Sequence, residues 1–206
     1  MFIEFVDAFR CLEPHEESWL VLAADRMDER RVIDGTLGCP LCRAAYPIEG
    51  GVVWFARSAT PAADDHAPAS GDEALRLAAL LDLAEPQSRA LLVGTWGALA
   101  ERLLDVVPAE LLLLDPPATV RPGPGITIVR AGGRVPLAAG SVAAAAIENR
   151  GSDVDASIRA VRARGRVVGP LSLAPPPALE ELARDDRHWV ATRTAPASKP
   201  IQLRRV

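Results

Sequence analysis

The chain has 206 residues, 49% hydrophobic and 24% charged, with 23 Lys or Arg against 27 Asp or Glu and a formal net charge of −4. This is the composition of a folded globular protein with room for one medium domain and a small one. The acidic balance leaves no footprint for nucleic acid, which needs clustered positive charge, and no run of about twenty apolar residues could span a membrane.

The start, MFIEFVDAFR, is acidic and lacks the apolar core of a secretory signal. The thiols are therefore expected to stay reduced, and the protein to be cytoplasmic. The three cysteines are an odd number, so a pure disulfide framework leaves one over. Residues 35–55 read GTLGCPLCRAAYPIEGGVVWF, in which Cys39 and Cys42 form a C-P-x-C knuckle. Such a turn aims two thiolates at one point, and its amides can donate to the sulfurs. A structural zinc takes four ligands. Cys11 and His15, in RCLEPHEESW, supply the other pair, so the expected site is Cys11, His15, Cys39 and Cys42. The competing reading is ordinary buried thiols with His15 on the surface, because C-x3-H is a looser spacing than C-x2-C.

Residues 19–24 (WLVLAA) and 31–33 read as hairpin strands joined by Arg26-Met27-Asp28-Glu29, and 52–55 as a third short strand. So small a unit has little core, and the metal would supply much of its folding energy. Residues 58–72 (SATPAADDHAPASGD) read as a linker. His66 within it is expected to be solvated rather than catalytic. Ser70 and Glu73 have the spacing of a capping box, and Leu77, Leu80, Leu81 and Ala84 follow on one helical face.

Apolar strands are then predicted at 90–93, 111–114, 126–129 and 142–147, with a fifth beginning at 166–168. Helices are predicted at 97–107, 153–164 (capped by Ser152) and 178–184. Residues 189–193 and 201–204 read as a closing antiparallel pair. Apolar strands alternating with helices mean a mostly parallel sheet covered on both faces. The expected fold is thus α/β: a Rossmann-like doubly wound domain over 73–206, a linker at 58–72 and a small β zinc-ribbon domain at 1–57.

L-x-C-P-x-C, three residues, then Y-P-I-x-x-G-V resembles the second half of a small zinc-ribbon family, with Tyr46, Pro47, Ile48, Gly51 and Val52 at its pattern positions. That family includes the activator subunit of tRNA and protein methyltransferases and its short bacterial relatives. The likeness covers roughly residues 9–55. The first knuckle departs, because the relatives carry C-P-x-C where this chain has Cys11-x3-His15. The family binds methyltransferases by strand pairing and apolar packing, so the resemblance implies a protein partner, or the same contact made within the chain.

Residues 73–206 resemble class I S-adenosylmethionine-dependent methyltransferases. The features are LLVGTWGALAERL, Asp115 at 21 positions after Gly94, GGRVPLAAGSVAAAAIE and RAVRARGRVVGP. The resemblance implies a cofactor site at Gly94, Trp96, Gly97 and Asp115. Against the family's first turn, acidic-x-G-x-G-x-G, Leu92 stands at the acidic position, Trp96 at the second glycine and Ala98 at the third. Trp96 is expected to fill space the cofactor needs. Only ten residues separate Asp115 from Ile126, where the family places a helix. Asp115 also has a plain reading, as the terminator of a strand before Pro-Pro. Two functions remain. One is a zinc-binding protein whose degenerate methyltransferase-like domain is a scaffold, partner subunit or homo-oligomer. The other is an active S-adenosylmethionine-dependent methyltransferase.

Overall fold

The computed structural model describes residues 1–63, 70–85, 87–149 and 153–194. His66, Ser152 and the expected strand at 201–204 lie outside them. The strands are β1 (Val21–Asp28), β2 (Arg31–Gly38), β3 (Ala45–Glu49), β4 (Val52–Trp54), β5 (Arg89–Val93), β6 (Glu110–Leu114), β7 (Ile126–Arg130), β8 (Val142–Ala146), β9 (Val161–Pro170), β10 (Leu179–Arg184) and β11 (His188–Arg193). The helices are α1 (Gly71–Leu81), α2 (Ala100–Leu104) and α3 (Val154–Ala160), and 3-10 turns run over Ile3–Ala8 and Gly94–Leu99. Among the described residues, no helix is long and apolar enough to cross a membrane.

All eleven strands form one sheet in the order β1-β2-β3-β4-β7-β6-β5-β8-β9-β11-β10. From β5 the chain winds outward to β6 and β7, then returns to β8 and β9, and the neighbours from β7 to β9 are parallel. That reversal makes the sheet Rossmann-like and puts its switch point between β5 and β8. β11 closes antiparallel between β9 and β10. The meander β1 to β4 joins this sheet directly, for β4 runs parallel to β7 with Val53 opposite Val129.

Strand residues alternate between the faces. On one face Leu77 and Leu81 of α1 and Leu103 of α2 pack against Leu92, Leu111, Leu113 and Ile128. Ser70 caps α1 by accepting from the Glu73 amide at 3.2 Å, as its spacing predicted. The other face receives Ile158 of α3 and, from the N-terminal 3-10 segment, Phe5 and Phe9, against Leu91, Leu112, Leu114 and Val129. Residues 116–125, all described, form no helix; Val120 of this stretch packs on the α1 and α2 face, opposite the N-terminal segment. The Phe2 amide donates to the fully buried Thr127 hydroxyl at 2.9 Å, so that segment also satisfies a polar group within the sheet.

Several elements differ from expectation. The β1–β2 hairpin turns over Glu29 and Arg30, and β3 was not foreseen. The helix expected over 97–107 is a 3-10 turn followed by the short α2. The helix expected over 153–164 ends at Ala160, because Val161 already pairs with Val142 of β8. Its cap is Asp153, which accepts from the Ala156 amide at 2.8 Å. Residues 178–184 form no helix: β10 is an edge strand pairing with β11, and Leu179 is its one buried side chain.

Phe5 is fully buried against the sheet on the α3 face. Phe5→Ala should cost about 3–5 kcal/mol, read as a lower midpoint in denaturant unfolding.

Candidate metal centre and switch-point cleft

Cys39 follows β2 and is buried. Its amide donates to the Ala44 carbonyl at 2.8 Å, and the Arg43 amide returns to the Cys39 carbonyl at 3.0 Å. Arg43 takes φ +63° to close this knuckle, which presents Cys42 at the surface. Cys11 arrives from the N-terminal segment through a bond from its amide to the Ser18 carbonyl at 3.0 Å. The donor atoms of Cys11, His15, Cys39 and Cys42 all lie within 4.8 Å of one another. Cys11 Sγ stands 3.6 Å from Cys42 Sγ, and Cys39 Sγ 3.4 Å from His15 Nε2. Four N and S donors around a tetrahedral ion lie about 3.5–3.8 Å apart, so the Cys11–Cys42 and Cys39–His15 separations are close to those of a metal site.

The surroundings prepare these ligands. His15 Nδ1 faces the Glu16 carbonyl at 2.5 Å, which places a proton on Nδ1 and leaves Nε2 toward the sulfurs. The Glu16 carbonyl, and then Cys11, raise the His15 pKa to about 9, and a bound metal would replace the proton held there. Burial pushes the Cys39 thiol up, but the Cys42 and Leu41 amides outweigh it and bring it down to about 6. Tyr46 was singled out only as a pattern position, yet its hydroxyl lies 3.2 Å from Cys11 Sγ and accepts from the Leu12 amide at 3.3 Å. Tyr46 stacks on Phe55 at 4.5 Å, and Phe55 on Phe9 at 5.6 Å, which roots the cluster in the core.

The second feature is a cleft of about 460 Å³ at the carboxyl ends of β5, β6 and β8, with residues 58, 60, 61, 62 and 63 along one wall. The Ala62 amide donates to the Asp115 carbonyl at 3.1 Å and pins this wall in place. Gly94 and Asp115 line the cleft; Trp96 and Gly97 do not. A Cβ at Gly97 would meet Pro116 at 2.5 Å, so that glycine serves close packing. Trp96 turns away: its Nε1 donates to the Ile147 carbonyl at 3.0 Å, and its ring lies 4.9 Å from that of His188.

The expectation that Trp96 fills the cofactor's place is therefore corrected. Glu148, at the end of β8, stands at the glycine turn instead. Gly94 has φ +60°, and a Cβ there would lie 1.8 Å from Glu148 Oε1. The same carboxylate accepts from the Thr95 amide at 3.2 Å and the Thr95 hydroxyl at 3.0 Å. Asp115 is 9% exposed, with φ +48°. Its Oδ1 accepts from the Ala131 amide and its Oδ2 from the Gly133 amide, both at 2.8 Å. The two acidic strand ends thus hold the chain's own backbone.

No protein-family profile matches the chain, and no curated protein matches it. Among solved structures it is similar to a methyltransferase of the mycinamycin biosynthetic pathway in complex with Mg, SAH and mycinamycin VI. That match has a TM-score of 0.45 and 14% identity, over 66% of this chain and 52% of that one. It is also similar to a SAM-dependent methyltransferase from Geobacter sulfurreducens in complex with S-adenosyl-L-homocysteine, with TM-score 0.38 and 19% identity, over 57% and 55% of the two chains. The antibiotic-resistance methyltransferase Kmr gives 0.40 and 13%, over 67% and 100%. The match thus spans about half the length of the first two. The neighbours are methyltransferases; what this chain's sheet itself defines is a doubly wound α/β protein with an added β meander bearing a Cys/His cluster.

Protein prepared without chelator should carry about one tightly bound metal ion per chain by elemental analysis. Cys39→Ser should lose it, and His15→Ala should hold it more weakly, since water can take that position. Asp115→Ala should destabilise the fold by about 1–3 kcal/mol through the orphaned Ala131 amide, measured by denaturant unfolding.

Proposed function

We propose that the Cys3His cluster binds a structural zinc, and that the Rossmann-like sheet is a methyltransferase-like module working as a scaffold or partner subunit rather than as a catalyst. Three thiolates and an imidazole in tetrahedral array are the donor set zinc takes, and four protein ligands leave no open position for chemistry. The observation that carries the non-catalytic reading is the Glu148 carboxylate over Gly94. An anion fixed there repels the carboxylate of S-adenosylmethionine and occupies the space in which a glycine turn admits a cofactor's backbone contacts. The bonds from Asp115 to Ala131 and Gly133 support the same reading, since a ribose would compete with them.

A protein partner or a second copy of this chain is part of the proposal. β1 is an edge strand, and Val21, paired with Gly38, is 61% exposed beside the knuckle that bears the exposed Leu41. Strand addition at such an edge is a common recognition mode.

One observation favours the alternative, an active S-adenosylmethionine-dependent methyltransferase: the cleft of about 460 Å³ at the switch point is open, and this size is usual for small-molecule sites. Calorimetric titration with S-adenosylmethionine and S-adenosylhomocysteine separates the readings. We expect no binding by the wild type. Glu148→Ala should not restore it, because Asp115 stays engaged and Leu92 still stands at the acidic position of the first turn. Micromolar binding by the wild type would overturn the scaffold reading in favour of the enzyme.

A further inference from the structure

Exposure and distance set Cys11 and Cys42 apart from Cys39. Cys42 is exposed and Cys11 half-buried, whereas Cys39 is only 3% exposed. Among the described residues, the one pair of sulfurs within hydrogen-bonding range is Cys11 and Cys42, at 3.6 Å. We infer that this pair is a redox modification site: a peroxide converts it to a disulfide, which ejects the metal while keeping the N-terminal segment tied to the knuckle. The metal-release half rests on the zinc reading; the disulfide itself does not.

Geometry selects the partners. A disulfide holds its sulfurs about 2.05 Å apart, so the pair has about 1.5 Å to close. The two cysteines lie 31 positions apart, on separate segments that meet at their sulfurs. Cys39 is the other candidate for Cys42, yet its sulfur is buried and lies 3.4 Å from His15 Nε2. Tyr46 steadies Cys11: its hydroxyl accepts from the Leu12 amide at 3.3 Å, which leaves its own proton to point at Cys11 Sγ, 3.2 Å away.

The chemistry balances with the peroxide alone. The exposed Cys42 sulfur attacks one peroxide oxygen, the O–O bond breaks, and Cys42 becomes a sulfenic acid as hydroxide leaves. The Cys11 thiolate then attacks the Cys42 sulfur; the S–S bond forms, the S–OH bond breaks, and a second hydroxide leaves. The two thiolates lose two electrons in total, and the peroxide is reduced to two hydroxides. Only Cys39 and His15 then keep free donor atoms, and two ligands do not hold a structural zinc. The new bond joins the segment that carries Phe5 and Phe9 to the turn after β2, so it restrains the unfolded chain in the metal's place.

The test takes the full chain, purified without chelator and assayed for zinc by elemental analysis, and treats it with hydrogen peroxide in modest excess. Peptide mapping without reductant should find Cys11 joined to Cys42 within one chain. About one zinc should pass to a chromogenic chelator for each disulfide formed. Dithiothreitol should restore both thiols and zinc uptake, a reversal that separates the disulfide from methionine sulfoxide, which needs its own reductases. With released metal removed, the oxidised protein should melt at a higher temperature than reduced protein stripped of metal. If the purified protein holds no zinc, the zinc reading fails, and the mapping alone decides for or against the thiol pair. The proposal is overturned by thiols that resist oxidation, by a dominant Cys39–Cys42 bridge, by a disulfide between chains, by Cys42 ending as a sulfinic acid, or by zinc retained after the Cys11–Cys42 bridge has formed.

Discussion

The parallel pairing of β4 with β7 is the contact on which the rest of the molecule depends. Without β4, β7 would be a bare sheet edge, and without the N-terminal segment the α3 face of β6 and β7 would be an uncovered apolar surface. Open edges invite wrong pairing, and exposed apolar faces invite association. The N-terminal part answers both problems. β4 pairs along Val52–Trp54 with residues 128–130, and the Ile3–Ala8 turn lays Phe5 on the face. The small β unit and the Rossmann-like sheet therefore share one core, and the two are held by backbone hydrogen bonds as well as side-chain packing.

The same economy shapes the switch-point cleft. In a doubly wound sheet the carboxyl ends of the strands are where ligand groups are received. Here β6 ends in Asp115 and β8 leads into Glu148, and each carboxylate accepts from nearby amides. Such bonds lock the loops that follow the strands. Asp115 ties β6 to the loop after β7, and Glu148 ties β8 to the turn after β5. A carboxylate can accept up to about four bonds, so a ligand would meet partly satisfied acceptors and an already rigid rim.

Much of this was legible in the sequence, for identifiable reasons. The central strands are short apolar runs of four to five residues between turn residues, which fit strands of a sheet buried on both faces. The Cys/His cluster followed from spacing, because a C-P-x-C knuckle dictates its own local geometry. What escaped was non-local. Pairing with β11 makes residues 178–184 a strand, although Leu179 and Leu182 are also spaced as on a helix. β3 contains Pro47, a residue that argues against a strand, and the hairpin register of β2 and β3 accommodates it. Glu148 meets Gly94 only because β5 and β8, far apart in sequence, are neighbours in the sheet. The turn's sequence predicts Trp96 in the cofactor's space, and nothing in it shows that the indole finds the Ile147 carbonyl.

The Cys/His cluster and the cleft are joined by a contiguous packing path. Tyr46 touches Cys11 and stacks on Phe55. The amides of Phe55 and Ala56 both donate to the Arg130 carbonyl, at 2.8 and 3.0 Å, just where the chain leaves β4 to form the cleft wall. Burial lowers the Arg130 pKa, with Asp115 opposing, and its guanidinium donates to the Pro116 carbonyl. Disturbance of the Cys/His cluster would loosen Cys11 and Tyr46 first, then the Phe55 contact, and then the strand end that positions residues 58–63. The path transmits stability as it stands. To transmit a signal it would need a second arrangement of these groups that metal or ligand favours. The exposed Cys42 and the solvent-facing edge β1 are the parts of the β meander least held by this packing.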